Sequence, residues 1–303
     1  MRNRRIAVLG TGLMGKGIAH TFAINDFYVD LYGHSEGFQE QVLAYLQYEE
    51  EKGRLTENER QKILGNLRLL KMGRDYEELR HSSLVIEAVK EDKELKKEIF
   101  QMINQYTFPN TMIASNTSTF SITELASATK TPEKVVGMHF ISPVPKMKLV
   151  EIVKGYRTGE EVVEKAKAIV RQIGKNPCVV KDNPGFVFTR LFVQFVNEAA
   201  NVLAEGIIDS PQQLDQMMMD GMGLAVGPLK LIDLTGVDII YNSMKSMYDH
   251  LHDSKFSPSL ELKKMLDAGF LGRKAGKGFY HYPDEETDRT SKKKKGEMIH
   301  GEI

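Results

Sequence analysis

The sequence predicts an α/β domain, a doubly wound and mostly parallel sheet, followed by an all-α domain. Three observations carry that expectation. Up to about residue 182, short apolar runs alternate with amphipathic stretches, the pattern of successive βαβ units. A GxGxxG turn, Gly10-Thr11-Gly12-Leu13-Met14-Gly15, stands directly between a strand-like run and a helical one. Beyond the turn cluster Lys181-Asp182-Asn183-Pro184-Gly185, strand signals give way to helical ones. At 303 residues the chain exceeds one usual core. The expected division is 1–182, then 183–282, then a charged tail 283–303 without apolar spacing that reads as disordered.

Composition narrows the partners. Lys+Arg and Asp+Glu both total 41, a balance that argues against nucleic acid or an anionic membrane surface. Cys178 is the only cysteine, so an intrachain disulfide and a cysteine-built metal site are excluded, and no metal is expected. The same usage fits a reducing, cytoplasmic setting, and the apolar context NPCVV suggests that Cys178 packs. No apolar run is long enough to span a bilayer. The start, MRNRRIAVLG, is broken by Gly10 and Gly12 and so reads as neither signal peptide nor anchor.

The first strand is expected at residues 5–9, and the helix that follows opens on Gly10, Gly12, Leu13, Met14 and Gly15. Those glycines permit a tight turn and close approach of a pyrophosphate to backbone N–H groups at a helix N-terminus, which makes this a dinucleotide site. FYVDLYG is the second strand. Asp30, twenty residues after Gly10, lies inside it, whereas the acid that reads the ribose normally stands at the strand's tip. That tip is Gly33, followed by His34 and Ser35, so the expected carboxylate is missing, which implies weaker NAD binding or tolerance of NADP with His34 and Ser35 near its phosphate; no arginine stands there, and NAD is the cofactor expected. Residues 37–80 read as a helical insertion of two helices, broken near Lys52-Gly53, with a capping box at Thr56 and Glu59. SSLVIEAV is a buried strand, 90–105 a helix, and TMIASNTS a strand whose polar end, Asn116-Thr117-Ser118, points toward the cofactor crevice. KVVGMHF, KMKLVEIV, a helix over 159–173 and PCVVKD complete the first domain. In the second, helices are expected in FVFTRLFVQFVNEAANVLAEG, SPQQLDQMMMDGMG, GPLKLIDLTGVDIIYNSMKSMYDHL and PSLELKKMLDAG, with Met217 to Met219 as packing. LGRKAGKGFYHY reads as a glycine-rich turn and a short aromatic strand.

The chemistry is expected between His139 and Glu151, twelve positions apart at facing ends of two apolar runs. A carboxylate on one ring nitrogen fixes the tautomer, steadies the imidazolium and leaves the other nitrogen to take a proton from a substrate hydroxyl.

The segments GTGLMGKGIA, VIEAVKED, ASNTSTFSITELA, VVGMHFISPVPKMKLVEIV, DNPGFVFTRL, NEAANVLAEG and LGRKAGKGFY, in that order, resemble the 3-hydroxyacyl-CoA dehydrogenases, and within them the bacterial 3-hydroxybutyryl-CoA branch of fatty acid metabolism. The resemblance covers nearly the whole chain to about Tyr282. It implies a Rossmann-type NAD domain followed by a helical domain that carries homodimerisation. It also implies that His139 is the base, Glu151 its orienting partner and Ser118 a contact of the substrate oxygen. Glu91 and Lys96 match positions near the nicotinamide half of the cofactor, and Lys274 matches a lysine that reaches back to it. Lys52 falls where the family meets the CoA phosphates.

Departures from the family pattern are equally specific. HFFNP becomes HFISP, so a substrate-side Asn is Ser142; GF(I/V)VNRL becomes GFVFTRL, so a second Asn is Thr189. The ribose acid is Gly33, and Glu49-Glu50-Glu51 adds three carboxylates beside Lys52, an arrangement expected to repel a phosphate. Three readings follow: a dehydrogenase of short 3-hydroxyacyl-CoA thioesters; the same chemistry on an acyl-carrier-protein thioester, as in hydroxymalonyl or methoxymalonyl extender-unit synthesis; and a non-catalytic protein on the same fold. A lysine-based relative of the 3-hydroxyisobutyrate type is disfavoured by the His/Glu pair.

Overall fold

The computed structural model describes residues 4–282. The proposed tail lies outside them. The chain divides after Phe186 into two compact units.

The first unit is an eight-stranded sheet. Its strands are β1 (Arg5–Leu9), β2 (Tyr28–Gly33), β3 (Leu67–Lys71), β4 (Leu84–Glu87), β5 (Met112–Ser115), β6 (Val135–Phe140), β7 (Leu149–Lys154) and β8 (Asn176–Lys181), and the spatial order is β3-β2-β1-β4-β5-β6-β7-β8. All neighbours pair in parallel except β6 and β7, which run antiparallel. Alternation along β1 shows why the sheet is wound on both faces. Ile6 and Val8 join one core with Ile18 and Phe22 of α1 (Leu13–Ile24), while Ala7 and Leu9 join a second with Phe100 and Ile103 of α4 (Lys93–Tyr106). A strand covered on both sides is apolar along its covered length, and after the half-buried Arg5, β1 reads IAVL.

The expected helical insertion is present as α2 (Phe38–Glu51) and α3 (Glu57–Asn66), and the Thr56/Glu59 capping box is formed in full. Its last part corrects the sequence reading. LRLLK, expected as helix, is strand β3, which extends the sheet by pairing in parallel with β2. Asp30 is a structural acid: it is buried in β2 and takes paired hydrogen bonds from Arg5 and Arg68. A short helix, α5 (Ile122–Ala126), and α6 (Glu160–Gln172) complete the layer elements. Cys178 is exposed rather than packed, since β8 is an edge strand whose apolar residues are largely open.

The second unit is helical: α7 (Phe188–Ala204), α8 (Pro211–Met222), α9 (Pro228–Thr235), α10 (Val237–Leu251) and α11 (Leu260–Asp267) surround a core of Val196, Ile232, Ile240, Met244 and Phe256. Of the methionine cluster, Met218 packs against this core and Met217 is exposed. The expected aromatic strand reduces to isolated bridges, Gly272 with Lys277 and Lys277 with His281. Instead, buried Asp233 accepts from Phe279 N, Tyr280 N and Tyr282 OH, and buried Asp215 accepts from Tyr280 OH, so two carboxylates hold the segment down.

Candidate active site

The antiparallel turn from β6 to β7 places His139 directly opposite Glu151 in register. His139 Nδ1 lies 2.7 Å from Glu151 Oε2, and both residues are buried. A carboxylate can only accept, so the proton of the neutral ring is on Nδ1 and Nε2 is left bare. Nε2 is 3.2 Å from the Ser118 hydroxyl, which donates to it while the ring is neutral. The three side chains therefore form a line in which a proton can be taken up at one end and its charge answered at the other. Phe186, at positive φ and almost fully buried, sets its ring 5.7 Å from the imidazole and closes one side of it to water.

Ser118 is held by a network that the sequence reading only partly anticipated. Glu91 Oε1 accepts from the Thr117 hydroxyl and, at 3.2 Å each, from Ser118 N and the Thr119 hydroxyl. Glu91 is itself paired at 3.1 Å with Lys96, whose ammonium also meets Glu87 at 2.7 Å. Lys96 is 1% exposed, so within this site it supports Glu91 from beneath. Glu87, at the tip of β4, was not anticipated; it is fully buried and accepts from Val89 N, Lys96 and the Ser115 hydroxyl. Its signal was present as an acid closing an apolar strand nine residues before a lysine. Asn116 Oδ1 accepts from Phe140 N and ties the end of β5 to the end of β6.

Ser142, by a cis bond to Pro143, begins the turn after β6. Buried Lys175 donates to Val144 O at 2.5 Å and Met147 O at 2.6 Å and so pins that turn; burial pushes its ammonium down to about 8. Thr189 and Lys274 belong to the second unit. Thr189 is buried in the first turn of α7, and Lys274 Nζ is paired with Asp238 at 2.5 Å.

The glycine turn fits a dinucleotide. Gly10 has φ 114°, and a Cβ there would stand 2.4 Å from Ala88 O; one on Gly15 would stand 1.9 Å from Gly10 O. Both contacts require glycine, and they bring α1 close against the sheet. At Gly12, by contrast, a Cβ would meet nothing within 4 Å, and this N-cap carries no side-chain cap. The first N–H groups of α1, next to Leu13 and Met14, thus open onto space suited to a pyrophosphate. Gly33 ends β2 beside this turn, its neighbour Tyr32 O accepting from Gly10 N at 2.9 Å.

The acidic run on α2 does not act as expected. Glu49 is paired with Arg54 at 2.9 Å and Glu50 with Arg60 at 2.6 Å, so two of the three charges are answered locally, while Glu51 accepts from the neutral amide of Gln47. Lys52 and Arg54 both lie over the Tyr48 ring, at 5.2 and 5.9 Å.

Comparison with known proteins covers both units. Residues 5–183 match the NAD-binding domain of 3-hydroxyacyl-CoA dehydrogenase and residues 185–282 match its C-terminal domain. A probable 3-hydroxybutyryl-CoA dehydrogenase of Bacillus subtilis is 38% identical over 289 residues, covering 94% of this chain and 99% of its own. The 3-hydroxybutyryl-CoA dehydrogenase of Clostridioides difficile is 37% identical, with 92% and 99% covered. The crystal structure of (S)-3-hydroxybutyryl-CoA dehydrogenase from Ralstonia eutropha, 36% identical, superposes with a TM-score of 0.84 over 93% of this chain and 99% of that one.

Proposed function

Because this chain belongs to the 3-hydroxyacyl-CoA dehydrogenase family, we propose that it interconverts a short 3-hydroxyacyl-CoA, of the 3-hydroxybutyryl type, and its 3-keto form. The observation that carries this is the line Ser118 Oγ, His139 Nε2, His139 Nδ1, Glu151 Oε2, with separations of 3.2 and 2.7 Å. When bound, a nicotinamide dinucleotide supplies the hydride acceptor or donor. Oxidation needs a base for the 3-hydroxyl proton, and bare Nε2 is that base. Glu151 keeps Nδ1–H in place and offsets the positive charge as the ring becomes imidazolium. In the opposite direction the imidazolium returns the proton to the oxygen at C3, with the Ser118 hydroxyl as a second donor to the same atom. The Glu91–Lys96–Glu87 network fixes Ser118, and Phe186 keeps water from competing for the ring.

The carrier-protein reading gains nothing from relatives named for CoA substrates, and its main structural support, unopposed charge at Glu49 to Glu51, is reduced by Arg54 and Arg60, which pair with Glu49 and Glu50. The named site also disfavours a non-catalytic role. No helix among the described residues is long and apolar enough to cross a membrane. A cytoplasmic homodimer is the state we propose, supported by the exposed thiol of Cys178 and by Val187, Leu191, Leu234 and Ile239, apolar side chains each more than two-fifths exposed in the second unit.

The test is acetoacetyl-CoA reduction followed by loss of reduced-nicotinamide absorbance. His139→Gln is expected to keep the fold and cofactor binding while turnover falls roughly 10²–10⁴-fold. A variant with full turnover removes the assignment.

A further inference from the structure

We propose that Lys71, together with Ser35 and His34 on the turn beside it, holds a phosphate on the adenosine ribose, so that this crevice prefers the 2′-phosphorylated dinucleotide, NADP(H), over NAD(H). The inference rests on the dehydrogenase reading above and sharpens its cofactor. In a sheet of this kind an acid at the tip of the second strand accepts from the ribose hydroxyls and repels a 2′-phosphate. Gly33 stands at that tip, and the absence of an acid is built into the packing. A Cβ on Gly33 would lie 2.2 Å from the ring of Phe38, which is fully buried at the start of α2. No side chain, carboxylate included, fits at this position while Phe38 keeps its place.

What replaces the acid is a cation. Lys71 ends β3 in register with Gly33, and the next residue, Met72, donates its N–H to Gly33 O at 2.9 Å. The Lys71 ammonium donates to His34 O at 2.8 Å and to Ser35 O at 3.3 Å, so it is fixed against the turn that follows the strand tip. Carbonyls accept its hydrogens without cancelling its charge. The carboxylate that approaches it, Glu36, is fully exposed and 4.0 Å away, a pairing weakened by solvent. The other basic residues of this edge are committed: Arg5 and Arg68 to Asp30 and Glu78, Arg74 to Asp75. Ser35 and His34, both exposed, add side-chain hydrogen-bond donors on the same turn. The loss of repulsion and the gain of a positioned cation act in the same direction.

The test titrates NADH and NADPH into the full chain, following nicotinamide fluorescence, in low and high salt and again with Lys71→Gln. The expected result is NADPH bound roughly tenfold tighter at low salt, the size of one charge-assisted contact. Salt should erode the NADPH affinity selectively. Lys71→Gln should lower the NADPH-to-NADH affinity ratio by about the same factor. The outcome that overturns the inference is NADH bound as tightly as NADPH, or a Lys71→Gln ratio equal to that of the unsubstituted protein, which would make Lys71 a staple of the turn alone. Either of those leaves the dehydrogenase reading standing. Binding of neither nucleotide removes both.

Discussion

At the β4–β7 end of the sheet, Glu87, Lys96 and Glu151 are at most 1% exposed and each charge meets a buried partner, whereas at the β2–β3 end Lys71 is half-buried and residues 34–36 stand in solvent around a glycine. Charge buried at the first end must be paired or its desolvation would dominate. The polar groups there hold one geometry and process one proton. At the second end nothing forces pairing, so the choice of ligand depends on which side chain is present and which is excluded. Substitutions should therefore have effects of different kinds: large and cooperative at the first end, modest and ligand-selective at the second.

The largest expected effect is from Glu151→Gln. An amide can donate to Nδ1, which moves the ring proton to Nε2 and removes the bare nitrogen. Turnover is expected to fall by roughly 10²–10⁴-fold with little change in the affinity for reduced nicotinamide cofactor, and single-turnover absorbance separates the two quantities. Next is Lys96→Met, which leaves Glu87 and Glu91 with no ammonium between them. Breaking a buried pair on one side costs about 3–5 kcal/mol, and the denaturant midpoint of the first unit should drop accordingly. Adding Glu87→Gln should restore part of that loss. If Lys96→Met alone unfolds like the unsubstituted protein, the contrast between the two ends fails.

A smaller effect comes from α1, which serves the open end. Burial, the largest influence, pushes His20 down to about 4, with Glu59 opposing and Lys175 reinforcing that shift; its Nδ1 is 3.1 Å from the Tyr45 hydroxyl. The folded state thus keeps a neutral ring that the unfolded chain protonates near 6.5. More protons are bound by the unfolded state below that value, so the stability held above pH 6.5 is lost as pH falls toward 4. The loss is expected to approach about 3 kcal/mol. Urea unfolding at several pH values checks it, and His20→Gln should flatten the dependence in this window.

How much of this was legible in the sequence follows the same division. His139 and Glu151 were readable because a twelve-residue separation between two apolar runs suits a turn that sets facing strand ends opposite each other. The glycine turn was readable because its steric demands are local. Strand β3 was not: LRLLK carries no period of its own that excludes a helix, and its state is decided by β2 beside it. The Glu87–Lys96 pair was not legible, since only the packing of α4 on β4 brings the two within 2.7 Å. Phe38 gave no sign that it reserves the space at Gly33, five residues earlier, because that contact depends on the path of the intervening turn. Cys178 sits among apolar neighbours in sequence, yet an edge strand leaves it exposed.

The smallest expected effect concerns the acidic run on α2, and it asks whether paired surface charge behaves like open surface charge. Glu50 and Arg60 are each about one-quarter exposed and 2.6 Å apart across the α2–α3 hairpin. Pairs of this kind contribute about 0.2–1 kcal/mol, because solvent screens them and ordering two long side chains offsets part of the attraction. Glu50→Gln should therefore shift stability by no more than about 1 kcal/mol. Its effect on the KM for acetoacetyl-CoA distinguishes the two views of the run. If the carboxylate faced a bound phosphate, removing it would lower KM, and more so at low salt. With Arg60 already cancelling its charge, removal instead releases the arginine, and any fall in KM should disappear when Arg60→Gln is added. A fall that persists in the double variant would mean that Glu50 does oppose the phosphate.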